Sequence, residues 1–302
     1  MKKILLDTDI GSDIDDAIAL TYLLCNRQCD LLGITTVSGE CVRRAMVADA
    51  IVKYFGREIP VYPGIDKPLI RSQNQPLCQQ WKRLGKWEHK DNFNQNSAIE
   101  FMRSTIEKNP GEITLAVIGP ATNVAVLFTL YPYLAPLVNE VVQMIGYFTG
   151  NQPVRGSKFW EWNSYCDPHA AQILFNVPFK RHRCFGLDVT LELLMSKDEM
   201  LKRFTAPALK PVVDFADAWF NFTDRKNDLI CFHDPLSVAA IFDETLCGYT
   251  KGNIEVELSS ERLFGLTYFT PGENGRHETA VTVDRERFLA DFFEVIQRNS
   301  IK

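Results

Sequence analysis

The run Ile4-Leu5-Leu6-Asp7-Thr8-Asp9-Ile10-Gly11-Ser12-Asp13-Ile14-Asp15-Asp16-Ala17-Ile18-Ala19-Leu20 decides how this chain is read. Ile4 to Leu6 reads as a short buried strand, and Asp15 onward reads as an apolar-periodic helix. Five carboxylates (Asp7, Asp9, Asp13, Asp15 and Asp16) therefore fall where a strand ends and a helix begins. In a parallel α/β sheet, ligands bind at that edge. Like charges so close repel and raise one another's pKa values. A helix cap would use one or two acids. Five point instead to a hard cation, and oxygen-only ligands suit Ca²⁺ or Mg²⁺.

Working outward, strand-like and helix-like segments alternate. Leu31 to Val37 is a β-branched apolar run, and Cys41 to Phe55 has helical periodicity up to Gly56. Val61 begins a short extended piece. Ile99 to Lys108 reads as a helix stopped by Asn109-Pro110-Gly111, and Ile113 to Ile118 as a buried strand. A helix is expected from near Thr122, strands at Val141 to Ile145 and Arg181 to Phe185, and a helix opened by Asp167-Pro168. Later, Asn253 to Leu258 and Ala280 to Val283 look like strands, and Arg285 to Arg298 like an amphipathic closing helix. The alternation predicts an α/β fold: a single domain over 1–302 with a mostly parallel, Rossmann-like central sheet flanked by helices. Two segments break the pattern. Residues 69–96 form a long polar and aromatic connection, and residues 207–227 are helical and rich in aromatics (Phe215, Trp219, Phe220, Phe222). Such aromatics either pack in the core or stack on a ligand.

The bulk numbers narrow the function. The 302 residues are 46% hydrophobic, enough for a large core, and the net charge is only −5. With no basic run, binding to nucleic-acid polymers is disfavoured. No stretch is apolar enough to span a bilayer, and nothing resembles a signal peptide. Eight scattered cysteines form no CxxC pair, which favours reduced thiols in a cytoplasmic protein.

Four further motifs sit at expected strand–helix junctions. They are Gly119-Pro120-Ala121-Thr122-Asn123, Glu161-Trp162-Asn163, Asp167-Pro168-His169-Ala170-Ala171 and His233-Asp234-Pro235-Leu236. Each alone reads as a turn and a cap. A His beside an Asp before a helix can also supply a proton donor and a metal carboxylate together.

Taken in order with the aspartate run, these motifs resemble the inosine-uridine nucleoside hydrolase family. The resemblance implies an enzyme, an N-ribosyl hydrolase that uses Ca²⁺ to cleave small ribonucleosides to free base and ribose. It further implies a homodimer or homotetramer. It assigns Asp9, Asp16, Asp234 and the backbone carbonyl of Ile118 to the metal, and gives Asp9 the proton of the attacking water. Asp15, Glu161, Asn163 and Asn151 would face the ribose hydroxyls, and His233 the leaving base. The chain departs from the family pattern in three places. Two extra residues in the first motif add Asp13, as a group behind the ligands or a helix cap. Glu40 stands where the family commonly has Asn, and it should lie near the sugar with Arg43 or Arg44 within reach. The stretch from Asn151 to Glu161 is longer, with Lys158, Phe159 and Trp160. Two other readings remain at this level. One is a phosphatase of haloacid-dehalogenase type, whose first strand also ends in Asp-x-Asp, although Gly11 occupies the place of its Thr or Ser. The other is a non-catalytic protein that binds a ribosyl compound.

Overall fold

The computed structural model describes residues 1–148, 161–221 and 228–298. The elements run β1 (Lys2–Thr8), α1 (Asp15–Cys25), β2 (Cys29–Thr36), α2 (Cys41–Tyr54), β3 (Val61–Pro63), α3 (Ala98–Lys108), β4 (Ile113–Val117), α4 (Thr122–Leu130) and β5 (Val138–Met144). Then come α5 (Trp162–Cys166), α6 (Pro168–Asn176), β6 (His182–Phe185), α7 (Leu187–Thr190), β7 (Leu194–Ser196), α8 (Lys197–Arg203), α9 (Lys210–Phe220), β8 (Leu229–Cys231) and α10 (His233–Phe242). Strands β9 (Cys247–Val256), β10 (Thr267–Pro271) and β11 (His277–Val283) and helix α11 (Arg285–Arg298) close the chain.

Nine strands form one sheet in the order β10-β9-β11-β6-β5-β4-β1-β2-β3. From β3 to β11 every pairing is parallel, and only β9 runs against its neighbours. The mostly parallel sheet expected from the alternation is therefore present. Strand β1 sits near the middle, and Ile4 and Leu6 join the core on one face while Leu5 joins the core on the other. Burial on both faces is why its sequence reads as a continuous apolar run. Helix α1 has no exposed residue at all, so it is a central helix rather than an amphipathic one. It packs with α2, α9, α10 and α11 on one side of the sheet, while α3, α4 and α6 cover the other.

The strand order reverses at β1. The chain steps from β1 to β2 and β3 on one side, then returns to place β4 on the other. A crevice opens beyond the strand ends at such a reversal, and loops from both directions meet there. Asn123, the last residue of the Gly-Pro-Ala-Thr-Asn motif, ties this edge together. Its Nδ2 donates to Asp7 Oδ1 at 2.8 Å and to the Thr36 carbonyl at 3.0 Å, and its Oδ1 accepts from Ile65 N at 2.9 Å. A Cβ at residue 64 would lie 2.3 Å from Asn123 Oδ1, so only Gly64 lets that loop approach.

Several elements differ from expectation. Strand β9 begins at Cys247, earlier than the Asn253 read from the sequence, because Gly248 and Gly252 weaken the local pattern while β11 supplies its ladder. Strands β7, β8 and β10 and helices α5, α7 and α8 carry no strong periodicity and were not expected. The long connection contains a 3-10 helix over Gln79–Lys86. Of the aromatic segment, α9 ends at Phe220, and Phe222 lies outside the described residues.

Candidate active site

At the reversal point, Asp15 and Asp16 open α1 while Asp234 stands in the first turn of α10. One carboxylate oxygen from each lies within 4.8 Å of the other two, and all three residues are buried. Thr8 fixes Asp16: its hydroxyl donates to that carboxylate and accepts the Ile10 N–H at 3.1 Å. Burial first, and then repulsion among the acids, pushes Asp15, Asp16 and Asp234 well above the ordinary carboxylate range. Burial likewise raises Asp9, against the charge of Arg44 and a hydrogen bond from Gln75. Asp13 is pushed up to about 7 by burial. A buried set of carboxylate oxygens that cannot all ionise together is a fit for a divalent cation with hard-oxygen preference.

The aspartate run does not act as one cluster of five. Asp7 lies below the crevice, where Thr35 Oγ1 donates to it at 2.6 Å beside Asn123, and burial pushes it up to about 7. Asp13 accepts the Ile14 N–H at 2.6 Å. Asp9 stands apart from the converging trio, its Oδ2 held by the Gln75 amide. Its position is set from below by Gly119, where a Cβ would lie 2.8 Å from Asp9 N and 2.9 Å from Asp9 Oδ1.

Two neighbouring side chains, Arg43 and Arg44, take different paths. Arg44 is fully buried, and its Nε donates to the carbonyls of Ser38 at 2.7 Å and Gly39 at 2.9 Å. Its Nη1 donates to the carbonyls of Asp9 and, at 3.1 Å, Ile10. One cation thus joins the loop after β1 to the loop after β2. Arg43 instead pairs with Glu40, whose other oxygen accepts the Cys78 N–H at 2.8 Å. Glu40 is therefore neutralised by a neighbouring arginine, and it anchors the long connection. Ser38 and Glu40 hold left-handed backbone angles, φ 69° and 37°. Hydrogen bonds to Ile65 and Asp66 from Ser38 N (3.0 Å) and Gly39 N (2.7 Å) hold that loop.

The long connection folds over the aspartate loop. Gln80 N donates to the Gly11 carbonyl at 2.9 Å, and the Gln80 amide donates to the Asp13 carbonyl at 2.5 Å. Gln75 bridges Asp9, Ser12 Oγ at 3.1 Å and the indole N–H of Trp162.

The opposite wall comes from β4, β5 and α5. Glu161 caps α5, accepting from Asn163 N at 2.6 Å and Ser164 N at 2.9 Å, and also from Gly146 N at 3.0 Å. Burial pushes it up to about 7 despite these bonds. Asn163 donates to the Ile118 carbonyl at 2.9 Å and to the Met144 carbonyl at 3.1 Å. A carbonyl oxygen has two lone pairs, so the Ile118 oxygen keeps one. Asp167 caps α6 and also accepts from Thr122 Oγ1 at 2.7 Å and Leu69 N at 2.9 Å. Its motif is thus a joint between segments. His233 opens α10, and burial lowers its pKa to about 4, so the ring is neutral at pH 7. Asn151 lies outside the described residues.

The sequence reading missed Thr8, Gln75 and Thr190 and the inward path of Arg44. Polar residues of these types are common anywhere, and only the folded contacts single them out.

A family model described as inosine-uridine preferring nucleoside hydrolase matches residues 4–290. The chain belongs to this family. The inosine-uridine preferring nucleoside hydrolase of Leishmania major is 29% identical over 98% of both chains. Among solved structures, a plant nucleoside hydrolase superposes with a TM-score of 0.84 at 26% identity, covering 98% of this chain and 99% of its own. A purine-preferring ribonucleoside hydrolase from Gardnerella vaginalis does so at 0.84 and 25%, covering 99% of each. The chain is an N-ribosyl hydrolase of the nucleoside hydrolase family. Neither the phosphatase nor the binding-protein alternative finds support in these matches. No helix among the described residues is long and apolar enough to cross a membrane.

Proposed function

We propose that this nucleoside hydrolase is Ca²⁺-dependent and cleaves the N-glycosidic bond of ribonucleosides to free base and ribose within a single catalytic domain. The observation that carries the reading is the convergence of buried Asp15, Asp16 and Asp234 at the strand-order reversal, with Asp9 on the loop after β1 and His233 at the first position of α10. Asp9, Asp16, Asp234 and the Ile118 carbonyl are the proposed calcium ligands. When bound, the ion supplies charge to offset the acids and lowers the pKa of water.

The remaining work falls to side chains. Cleavage breaks the bond from the anomeric carbon to the base nitrogen, and water forms the new carbon–oxygen bond. Asp9 takes the proton of that water. Positive charge builds on the sugar as the base departs, and the acidic floor stabilises it. Asp15, Glu161, Asn163 and Asn151 orient the sugar through its hydroxyls. His233 assists the leaving base by donating a ring N–H to it as charge develops there. The family resemblance also carries the proposal of a homodimer or homotetramer acting on small nucleosides, and a cytoplasmic location is proposed from the cysteines. The eight free, buried cysteines agree with a reducing compartment.

The test is release of base and reducing sugar from inosine and uridine, before and after exhaustive chelation and after Ca²⁺ is restored. Loss on chelation and recovery with Ca²⁺ are expected. Full activity after chelation would remove calcium from the reading. Failure of the folded, Ca²⁺-loaded protein to cleave any ribonucleoside would remove the substrate class.

A further inference from the structure

His233 does not stand alone at the start of α10. Its Nδ1 lies 2.7 Å from the hydroxyl of Thr190, the last residue of α7, and 3.6 Å from Cys231 Sγ. Thr190 is fully buried, and among the described residues its hydroxyl has no other partner. The Cys231 thiol is already committed, since it donates its single proton to the Thr190 carbonyl at 2.9 Å.

These contacts restrict where protons can sit. If Nδ1 carried the ring proton and donated to Thr190, the buried threonine proton would have no acceptor. The same holds for a doubly protonated ring. A buried donor without an acceptor is costly, because it has lost its bond to water and gained none in return. Only one arrangement satisfies every group: the threonine O–H donates to a bare Nδ1, and the ring proton sits on Nε2. Among the described residues Nε2 makes no hydrogen bond, so it remains free to donate.

We propose that Thr190 is a positioning residue that sets the tautomer of His233, leaving Nε2–H as the donor to the departing base. The proposal rests on the N–H donor role given to His233 above. In the step itself the electron pair of the glycosidic bond leaves on the base nitrogen, and Nε2–H donates a hydrogen bond to the charge that develops there. The base takes its proton from solvent, so the ring stays neutral with its proton on Nε2. Nδ1 keeps its hydrogen bond from Thr190 throughout. A wrong tautomer would present a lone pair to the leaving base instead of an N–H.

The experiment has two arms. The first is NMR of wild-type protein with isotope-labelled histidine, in the Ca²⁺-loaded form. The chain has only five histidines, so His233 is assigned by its loss in His233→Gln. A neutral ring protonated at Nε2 is expected, and a ring protonated at Nδ1 overturns the proposal. The second arm compares inosine with a nitrophenyl riboside, whose leaving group needs no such donor. Thr190→Val keeps the shape and removes the donor. Its kcat on inosine should fall at least about tenfold with little change in KM, while kcat on the aryl riboside stays within about twofold. Thr190→Ser should restore inosine turnover. Equal losses on both substrates, or none on inosine, overturn the proposal. If Thr190→Val does not fold, the wild-type spectrum and the Ser variant still decide. If the wild type cleaves no riboside at all, the activity reading fails, and the spectrum still tests the tautomer.

Discussion

Gly119 is the position where one methyl group has the most leverage. A Cβ there would meet Asp9 N at 2.8 Å, Asp9 Oδ1 at 2.9 Å and Val37 Cγ1 at 2.9 Å. Comfortable contacts begin near about 3.4 Å, so something must retreat by roughly half an ångström. Gly119 lies two residues beyond β4, and the parallel ladders on both sides of that strand, with the Ile118 N–H bond to the Asp7 carbonyl at 2.9 Å, restrain its backbone. Asp9 and its loop therefore move, against the carbonyl bonds from Arg44. Overpacking of this kind costs about 1–3 kcal/mol. At roughly 2 cal/mol/K of unfolding entropy per residue, that is a Tm loss of about 2–5 °C for this chain. Activity should suffer more than stability, because displacing a reacting group by about 1 Å can cost about a hundredfold. Gly119→Ala is thus expected to lose one to two orders of magnitude in kcat on inosine with only a small drop in Tm. Gly85→Ala is the control, since a Cβ there meets nothing within 4 Å. If Gly119→Ala matches Gly85→Ala in both kcat and Tm, the close approach to Asp9 has no consequence and the reasoning is wrong.

Other expectations are simpler to state. Asp9→Asn should lower kcat at least about a hundredfold with the fold intact by circular dichroism, since Asn cannot take the proton of water; near-normal turnover would exclude Asp9 as the base. Glu40→Gln keeps an acceptor for Cys78 N but loses the charge that pairs with Arg43. Stability should change by less than about 1 kcal/mol at this half-exposed pair, while the ranking of substrates by kcat/KM shifts. An unchanged ranking would make Glu40 a bystander. His182 is held well below the ordinary histidine value by burial and by His277, whose ring centroid lies 5.2 Å away. The unfolded chain therefore binds more protons below about pH 6.5, and stability falls as pH drops, by up to about 1.4 kcal/mol per pH unit. The raised carboxylates work in the opposite sense, so the informative quantity is a difference. The Tm drop from pH 7 to pH 5 should be smaller in His182→Gln than in wild type; equal drops would show that His182 does not contribute.

What could be read from sequence follows burial. Strand β1 and helix α1 were legible because both are enclosed, and enclosure forces apolar residues into unbroken runs. Strands β7 and β8 escaped because each is short with exposed positions, so neither periodicity nor composition marks them. In the site, the acids announced themselves because several buried carboxylates are costly without a partner charge. Thr190 and Gln75 gave no signal, since their roles arise from contacts to residues 43 and 66 positions away. Arg43 and Arg44 show the limit plainly. They are the same residue type one step apart on α2, and about 100° of helix rotation sends one to a surface pair and the other into the interior.

Arg44 also bears on how this scaffold could be re-engineered. The loops after β1 and β2 look like separate modules, each suited to transplantation from a relative. They are not independent, because one guanidinium spans the gap between their main chains. Lysine could not replace it, having three donors at one point where arginine has a rigid fork of five. A graft of either loop would succeed only if the recipient also carried that arginine and a glycine at residue 39, where a Cβ would fall 2.3 Å from the Gln75 carbonyl. The unit of exchange in this enzyme is the pair of loops together with their shared side chain.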